Sequence, residues 1–147
     1  MSRKGQASTE YLVILAVVII VALVVVAVLG GFIDIGRGAG EQASKSYWRT
    51  ADIGLVDWTI AGTSGTFVIR NNQDYQVRLT NISVGNSTLT PPTGILAPGA
   101  TATVSGTTPT CASGDAYAYT VSVTYDNTEH GITGKVFTGA KDIVGTC

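Results

Sequence analysis

An uncharged apolar run near the N-terminus constrains this chain more than any other feature. Residues 11–33 form a stretch of 23 residues that contains no Asp, Glu, Lys, Arg or His. A helix of about 20 apolar residues is long enough to cross a bilayer, whereas a buried helix of a soluble protein is usually shorter. The run therefore predicts one membrane-spanning helix.

The flanks of this run indicate its orientation. Arg3 and Lys4 precede the run, and basic residues favour the cytoplasmic side of a membrane, so everything after the run is expected outside. A cleaved secretory signal has a shorter apolar stretch followed by a small-residue cleavage site. Here Asp34, Arg37 and Glu41 follow instead. The residues alone thus predict a single-pass protein with an external domain.

Charge and length exclude several classes of protein. A chain of 147 residues has room for one ordinary domain beside the helix. Its formal net charge is −1, and no basic cluster occurs beyond Arg3 and Lys4. Because nucleic-acid-binding proteins normally carry a basic patch, the sequence predicts no nucleic-acid partner.

The two cysteines, Cys111 and Cys147, both lie far beyond the apolar run. An even number of cysteines in an external segment favours a disulfide, and the alternative is two unrelated buried thiols. We therefore predict that Cys111 and Cys147 form a disulfide.

A specific motif lies where the basic pair meets the apolar run. Residues 3–12, RKGQASTEYL, combine a basic pair, Gly5-Gln6, a serine two residues later and Glu10 directly before the run. This string resembles the class III signal peptide of archaeal type IV pilins, and the resemblance covers roughly residues 1–33. In that family a membrane aspartyl peptidase cuts before the glutamine, and the hydrophobic segment stays in the mature protein.

The resemblance implies a domain organisation and a function. Residues 1–5 would be a leader cleaved between Gly5 and Gln6, residues 6–47 an assembly helix and stalk, and residues 48–147 a head. The chain would be a structural subunit of an extracellular filament on the cell surface, a helical homo-oligomer with helices in its core, β heads outside and a role in adhesion. Its partners would be the prepilin peptidase, the pilus assembly machinery and, before assembly, the membrane.

Glu10 has two interpretations. As a carboxylate in the first helical turn it would interact favourably with the helix dipole, worth about 0.3–1 kcal/mol. As an ionisable residue at the rim of a spanning segment it is a candidate for a functional role. The resemblance favours the second interpretation, in which Glu10 sets the position of subunits during assembly.

Five glycines make the end of the helix uncertain: Gly30, Gly31, Gly36, Gly38 and Gly40. Each costs about 1 kcal/mol relative to alanine in a helix interior. Either the helix continues to about Tyr47, supported by neighbouring helices, or residues 36–40 form a flexible tether.

From Trp48 onward, short alternating runs and turn residues predict an all-β domain. In 116–125 the large residues Tyr117, Tyr119, Val121, Val123 and Tyr125 share one face. A change of apolar phase between Leu79 and Ile82 predicts a bulge. Seven strands in about 100 residues are typical of an immunoglobulin-like antiparallel β-sandwich, so the fold class is α+β. The predicted strands are 52–60, 66–70, 76–84, 101–105, 116–125, 132–138 and 143–144.

Two N-glycosylation acceptor patterns occur in the external part, at Asn81-Ile82-Ser83 and Asn86-Ser87-Thr88. We predict glycans on Asn81 and Asn86. Because such short patterns also arise by chance, unmodified asparagines remain the alternative.

The sequence offers no recognisable catalytic set. His130 is the only histidine and lies in a polar turn, which favours a solvated loop residue. Asp115, Asp126 and Glu129 lack the alternating oxygen ligands of a calcium loop. We therefore predict no enzyme activity, no metal and no cofactor. The rival hypothesis to a filament subunit is a monomeric, membrane-anchored binding module with a β-sandwich ectodomain.

Overall fold

The computed structural model describes the backbone of residues 6–147 and the side chains of residues 9–28 and 38–147. Helix α1 spans Gln6–Thr50, and its backbone is helical through the glycines, as in the first of the two alternatives. Contacts divide the chain into two compact units, Met1–Ala39 and Gly40–Cys147. We call the second one the head unit, and it includes the last residues of α1.

Eight strands follow the helix in the head unit. They form three antiparallel sheets with the orders β1-β4, β3-β2-β6-β7 and β5-β8. An N-terminal apolar helix followed by antiparallel sheets is an α+β fold, as predicted. The strands are β1 (Ile53–Asn71), β2 (Val77–Val84), β3 (Ser87–Leu89), β4 (Thr101–Cys111), β5 (Ala116–Tyr119), β6 (Val121–Asn127), β7 (Ile132–Thr138) and β8 (Ile143–Thr146).

The predicted irregularity in β2 is present. The register between β2 and β6 shifts between Leu79 and Asn81, so Thr80 has no partner position in the ladder. Because the shift changes which side chains face inward, Leu79 and Ile82 are both buried although they are three positions apart.

Four strand predictions were wrong in their extent, and one of them, 101–105, continues to Cys111 as β4. Segments 52–60 and 66–70 form one strand, β1, with a register shift between Gly62 and Ser64. Segment 116–125 is divided at Thr120 into β5 and β6, which pair with different neighbours. The Thr120 hydroxyl donates to the Asp142 carboxylate at 2.8 Å, and its carbonyl accepts from Gly85 N at 2.9 Å. These bonds take the place of the ladder. Strand β3 was not predicted.

The core of the head unit contains inward-facing side chains from all three sheets. The alternation predicted for 116–125 persists across the division, since Tyr117, Val121, Val123 and Tyr125 are all buried. Full burial of one such side chain stabilises a fold by about 1.5–3 kcal/mol. The helix contributes Trp48, which is completely buried. The core therefore fixes the end of α1 as well as the sheets.

Candidate functional site

The N-terminal part of α1 exposes an apolar surface. Among the described residues, Thr9–Val28 is the one helical segment long and apolar enough to cross a membrane, with a mean hydropathy of 3.5 and no buried residue. We call it the apolar segment. Its large side chains are 40% exposed at Leu15 and 66% exposed at Tyr11 and Val26. Apolar residues occupy every face of the helix, a pattern that fits a helix surrounded by lipid or by other helices.

Glu10 lies at the N-terminal end of the apolar segment and is exposed. The helix begins at Gln6 in the described part of the chain, and no acidic residue lies in its first turn. Glu10 lies just beyond the first turn of the described helix, and because residues 1–5 lie outside the described residues, both interpretations of Glu10 stay predictions. Of the predicted cleavage pair, Gly5 lies outside the described residues, as does the side chain of Gln6.

The other end of α1 is hydrogen-bonded to the loop between β7 and β8. Ser44 Oγ donates to the carbonyl oxygen of Asp142 at 2.7 Å, and the hydroxyl oxygen of Tyr47 accepts from Ala140 N at 2.8 Å. Ser44 is buried, so its bond is shielded from water. These two bonds join residues 98 and 93 positions apart in the sequence.

Trp48 packs beside these bonds. Its ring lies edge-on to Phe137, with 6.1 Å between the ring centroids, and covers Gly139 so closely that a Cβ at that position would overlap the indole. Within the described part of the chain the indole N–H has no hydrogen-bond partner, so packing alone holds the ring. We call this junction the helix seat. The helix seat consists of Ser44, Tyr47 and Trp48 on α1 and Gly139, Ala140 and Asp142 on the loop.

Asn72 closes the C-terminal end of the helix. Its side-chain amide donates to the carbonyl oxygens of Arg49 at 3.0 Å and Ala51 at 2.7 Å. Carbonyls at a helix end have no partner within the helix, so an amide from the β1–β2 loop satisfies them. Gly54 leaves room for this amide, since a Cβ there would lie 2.6 Å from Asn72 Nδ2.

Sequence reasoning missed the helix seat. A signal was present, because Ser44, Tyr47, Trp48 and Ala51 follow the spacing i, i+3, i+4, i+7 of a buried helix face. This pattern indicates that one face of the end of α1 is buried against another part of the protein. It does not identify the loop that receives it.

The predicted disulfide is present. Cys111 at the end of β4 bonds to Cys147, with their Cα atoms 6.0 Å apart and a sequence separation of 36, and no free cysteine occurs among the described residues. Cys147 N also donates to Asp115 O at 2.9 Å, and Gly114 N donates to Cys147 O at 2.8 Å. The alternative of two unrelated thiols is wrong. The covalent bond and the backbone bonds together attach the C-terminal strand to the head unit.

The two glycosylation patterns occupy different structural positions. Asn81 and Asn86 are both exposed. Asn81 lies within β2, a strand between β3 and β6, and is followed by the buried Ile82. Asn86 lies in the two-residue turn between the paired residues Val84 and Ser87. In the folded head unit, the turn is therefore the more accessible of the two positions.

A lysine and two tyrosines connect the β1–β2 loop with β6 and β7. Lys135 Nζ donates to the Tyr75 hydroxyl at 2.9 Å and lies 5.3 Å from the Tyr75 ring centroid and 5.5 Å from that of Tyr125. The hydrogen bond with Tyr75 raises the pKa of Lys135, and burial raises the pKa of Tyr125. His130 is exposed, and its Nδ1 lies 3.1 Å from the Asn127 amide. The contacts of Lys135 with Tyr75 and Tyr125 hold the β1–β2 loop against β6 and β7.

No grouping of ligands for a metal ion occurs in the part of the chain that the structure describes, where no three His, Cys, Asp or Glu side chains lie together. Asp126, one of the acidic residues considered above, accepts a hydrogen bond from Gly134 N at 2.8 Å. It therefore stabilises the β6–β7 hairpin.

Comparison with known proteins finds no matching family model, no matching curated protein and no matching solved structure. What the chain does must be inferred from its own residues and geometry. Together these define an α+β protein that has an exposed apolar helix at one end and a disulfide-closed β head at the other end of the sequence.

Proposed function

We propose that this chain is the structural subunit of an extracellular filament, a pilin of the archaeal type IV class. The observation that carries this proposal is the apolar segment Thr9–Val28, which is apolar on every face and exposed along its whole length. Such a helix is stable in lipid, and it is equally stable among similar helices that pack closely around it. A subunit that leaves the membrane to join a filament core needs both properties.

Glu10 would control the passage from membrane to filament. A carboxylate without a partner in hydrocarbon costs on the order of several kcal/mol. Cleavage before Gln6 would create a new α-amino group one helical turn from Glu10. If the amine of an incoming subunit pairs with the Glu10 of a subunit already in the core, the pairing fixes the axial step between them.

The head unit would form the filament surface, and we infer that its sheets make an immunoglobulin-like sandwich. Inward-facing residues of β1, β2, β4 and β6 alternate with exposed ones and contribute to one core, which is the pattern of two sheets packed face to face. The disulfide and the helix seat would keep the head folded outside the cell, where the filament would act in adhesion.

Processing provides the first test. We expect mass spectrometry of the native protein to find a mature chain that begins at Gln6, in filaments isolated from the cell surface. A native chain that retains Arg3 and Lys4 and stays monomeric in the membrane would instead support an anchored binding module.

Glu10→Ala provides the second test. Because 1.4 kcal/mol corresponds to a factor of ten, loss of a pairing worth several kcal/mol should reduce the number of filaments at least about tenfold, while cleavage and membrane insertion continue. Filaments are counted by electron microscopy. Glu41→Ala is the matched control, since it removes a carboxylate from the same helix outside the apolar segment, and it should leave filaments in place. Normal filaments in Glu10→Ala cells would overturn this role.

A further inference from the structure

The turn between β2 and β3 lies directly on two rings. Gly85, the first residue of the turn, has φ of 56°, and a Cβ there would lie 3.2 Å from Pro109 Cγ and 3.3 Å from Tyr119 Cδ1. Gly85 N donates to the carbonyl of Thr120 at 2.9 Å. Because no side chain intervenes at position 85, the backbone of the turn is in close contact with both rings.

These two rings form a firm surface, which we call the platform, consisting of Pro109 and Tyr119. Both residues are half-buried. Tyr119 stacks on Tyr117 with 5.5 Å between centroids and an angle of 11° between the ring planes. The partly exposed rings of the platform are therefore held by the fold, so a ligand that packs on them orders little that was mobile.

Asn86 follows Gly85 in the turn and starts the pattern Asn86-Ser87-Thr88. Its Cα is about 3.8 Å along the chain from that of Gly85. A pyranose ring has an apolar face of C–H groups and an edge of hydroxyls, so it fits an aromatic surface with polar surroundings.

We propose that the platform binds the first sugar of a glycan attached to Asn86. The platform sets Asn86 apart from Asn81, which faces Thr124 of β6 in the sheet, with Val136 of β7 beyond it and no aromatic side chain at either paired position. A sugar on Asn86 packs against the head unit and stabilises it, whereas a sugar on Asn81 extends into solvent. This role is independent of filament formation.

The experiment measures the coupling between glycan and platform in the full chain from its native host, in detergent. Thr88→Val removes the acceptor pattern and leaves Asn86 and a β-branched strand residue in place, and Tyr119→Ser removes the ring. Glycopeptide mapping should find Asn86 occupied. With Tyr119 present, loss of the glycan should lower the folding equilibrium constant about two- to tenfold, which is the range of one aromatic contact. In the Tyr119→Ser background, loss of the glycan should leave the folding equilibrium constant unchanged.

Asn81→Gln is the control, and its effect should be the same with and without Tyr119. Equal effects of Thr88→Val in both backgrounds, or an unmodified Asn86 in native material, overturn the proposal. If Tyr119→Ser does not fold, the wild-type glycoprotein decides the question by NMR. Cross-relaxation between protons of the first sugar and the Tyr119 ring supports the contact, and its absence excludes it.

Discussion

Buried or lipid-compatible valines occur in a helix in one region of this molecule and in a strand in another, namely α1 and β6. In residues 11–28 of α1, 11 of 18 residues are Val or Ile, a composition that favours strands in water. In β6, Val121 and Val123 alternate with polar residues and form a strand. The apolar segment has no such alternation, so a sheet could not bury one face of it and leave the other in water. The pattern of polarity and the surroundings therefore outweigh intrinsic propensity.

The two regions also differ in what completes them. Val123 is 1% exposed and Val18 is 57% exposed. The head unit buries its own apolar side chains, whereas those of the apolar segment are all exposed in the single chain. The fold of the head unit should therefore depend on internal contacts, and the state of the apolar segment should depend on lipid or on other copies.

Removal of the disulfide should produce the largest effect, and this effect should be confined to the head unit. Cys147→Ser should lower the free energy of unfolding of the head unit by about 4 kcal/mol, because the bond restricts the unfolded chain over 36 positions. Near-UV circular dichroism during urea unfolding in detergent measures this loss. The double variant Cys111→Ser/Cys147→Ser should match the single one. Two free thiols found by alkylation of the unreduced, denatured protein would contradict the prediction.

A lysine placed in each region sharpens the comparison. Val18 and Val136 are similarly exposed in the single chain, at 57% and 65%. Val18→Lys should disfavour membrane insertion by about 3 kcal/mol, since a charge at the centre of a spanning helix is costly. Val136→Lys should change head stability by less than about 0.5 kcal/mol, because charged residues are common on edge strands. Membrane fractionation and head unfolding measure the two effects, and equal tolerance of both variants would refute the distinction.

Two glycines test the helix seat against the open part of α1. Gly139→Ala should destabilise the head unit by about 1–3 kcal/mol, because its Cβ overlaps the Trp48 ring. Gly38→Ala meets open space and should favour the helix by about 1 kcal/mol or less. Thermal unfolding of each variant measures whether the substitution stabilises or destabilises the protein. No destabilisation by Gly139→Ala would show that the helix seat does not hold the end of α1, and destabilisation by Gly38→Ala would contradict the open space at that position.

Alkaline pH should produce the smallest effect, and only in the head unit. Burial raises the pKa of Tyr117 above its ordinary value of 10.0, with the nearby Glu41 adding to the shift, and burial also raises the pKa of Tyr125. Since the folded pKa exceeds the unfolded one, this stabilisation is complete below pH 10 and is lost as pH rises through the folded pKa. Unfolding measured from pH 8 to pH 11 should show the decline. A weaker decline in Tyr117→Phe would assign it to this phenol.

The features that sequence reasoning predicted are local or covalent. The uncharged run predicted α1, and the alternation of large and small residues at 116–125 predicted which side chains face the core. The change of apolar phase in β2 predicted the register shift beside Thr80. The pairing of Cys111 with Cys147 needed only an even count. The division at Thr120 could not be predicted from the sequence. The hydrogen-bond partners of its carbonyl and hydroxyl groups, Gly85 and Asp142, are remote in the sequence. Strand β3 has three residues, too few for a periodicity.

The burial of Trp48 in the helix seat has an optical consequence. The chain has two tryptophans, Trp48 and Trp58, and both lie in the head unit, 0% and 6% exposed. The apolar segment contains no tryptophan, so the tryptophan fluorescence of this protein reports on the head unit alone. Release of α1 from its loop would expose the Trp48 indole to water and shift its emission to longer wavelength. In a Trp58→Phe background, that colour change would follow the detachment of one helix end without any added label.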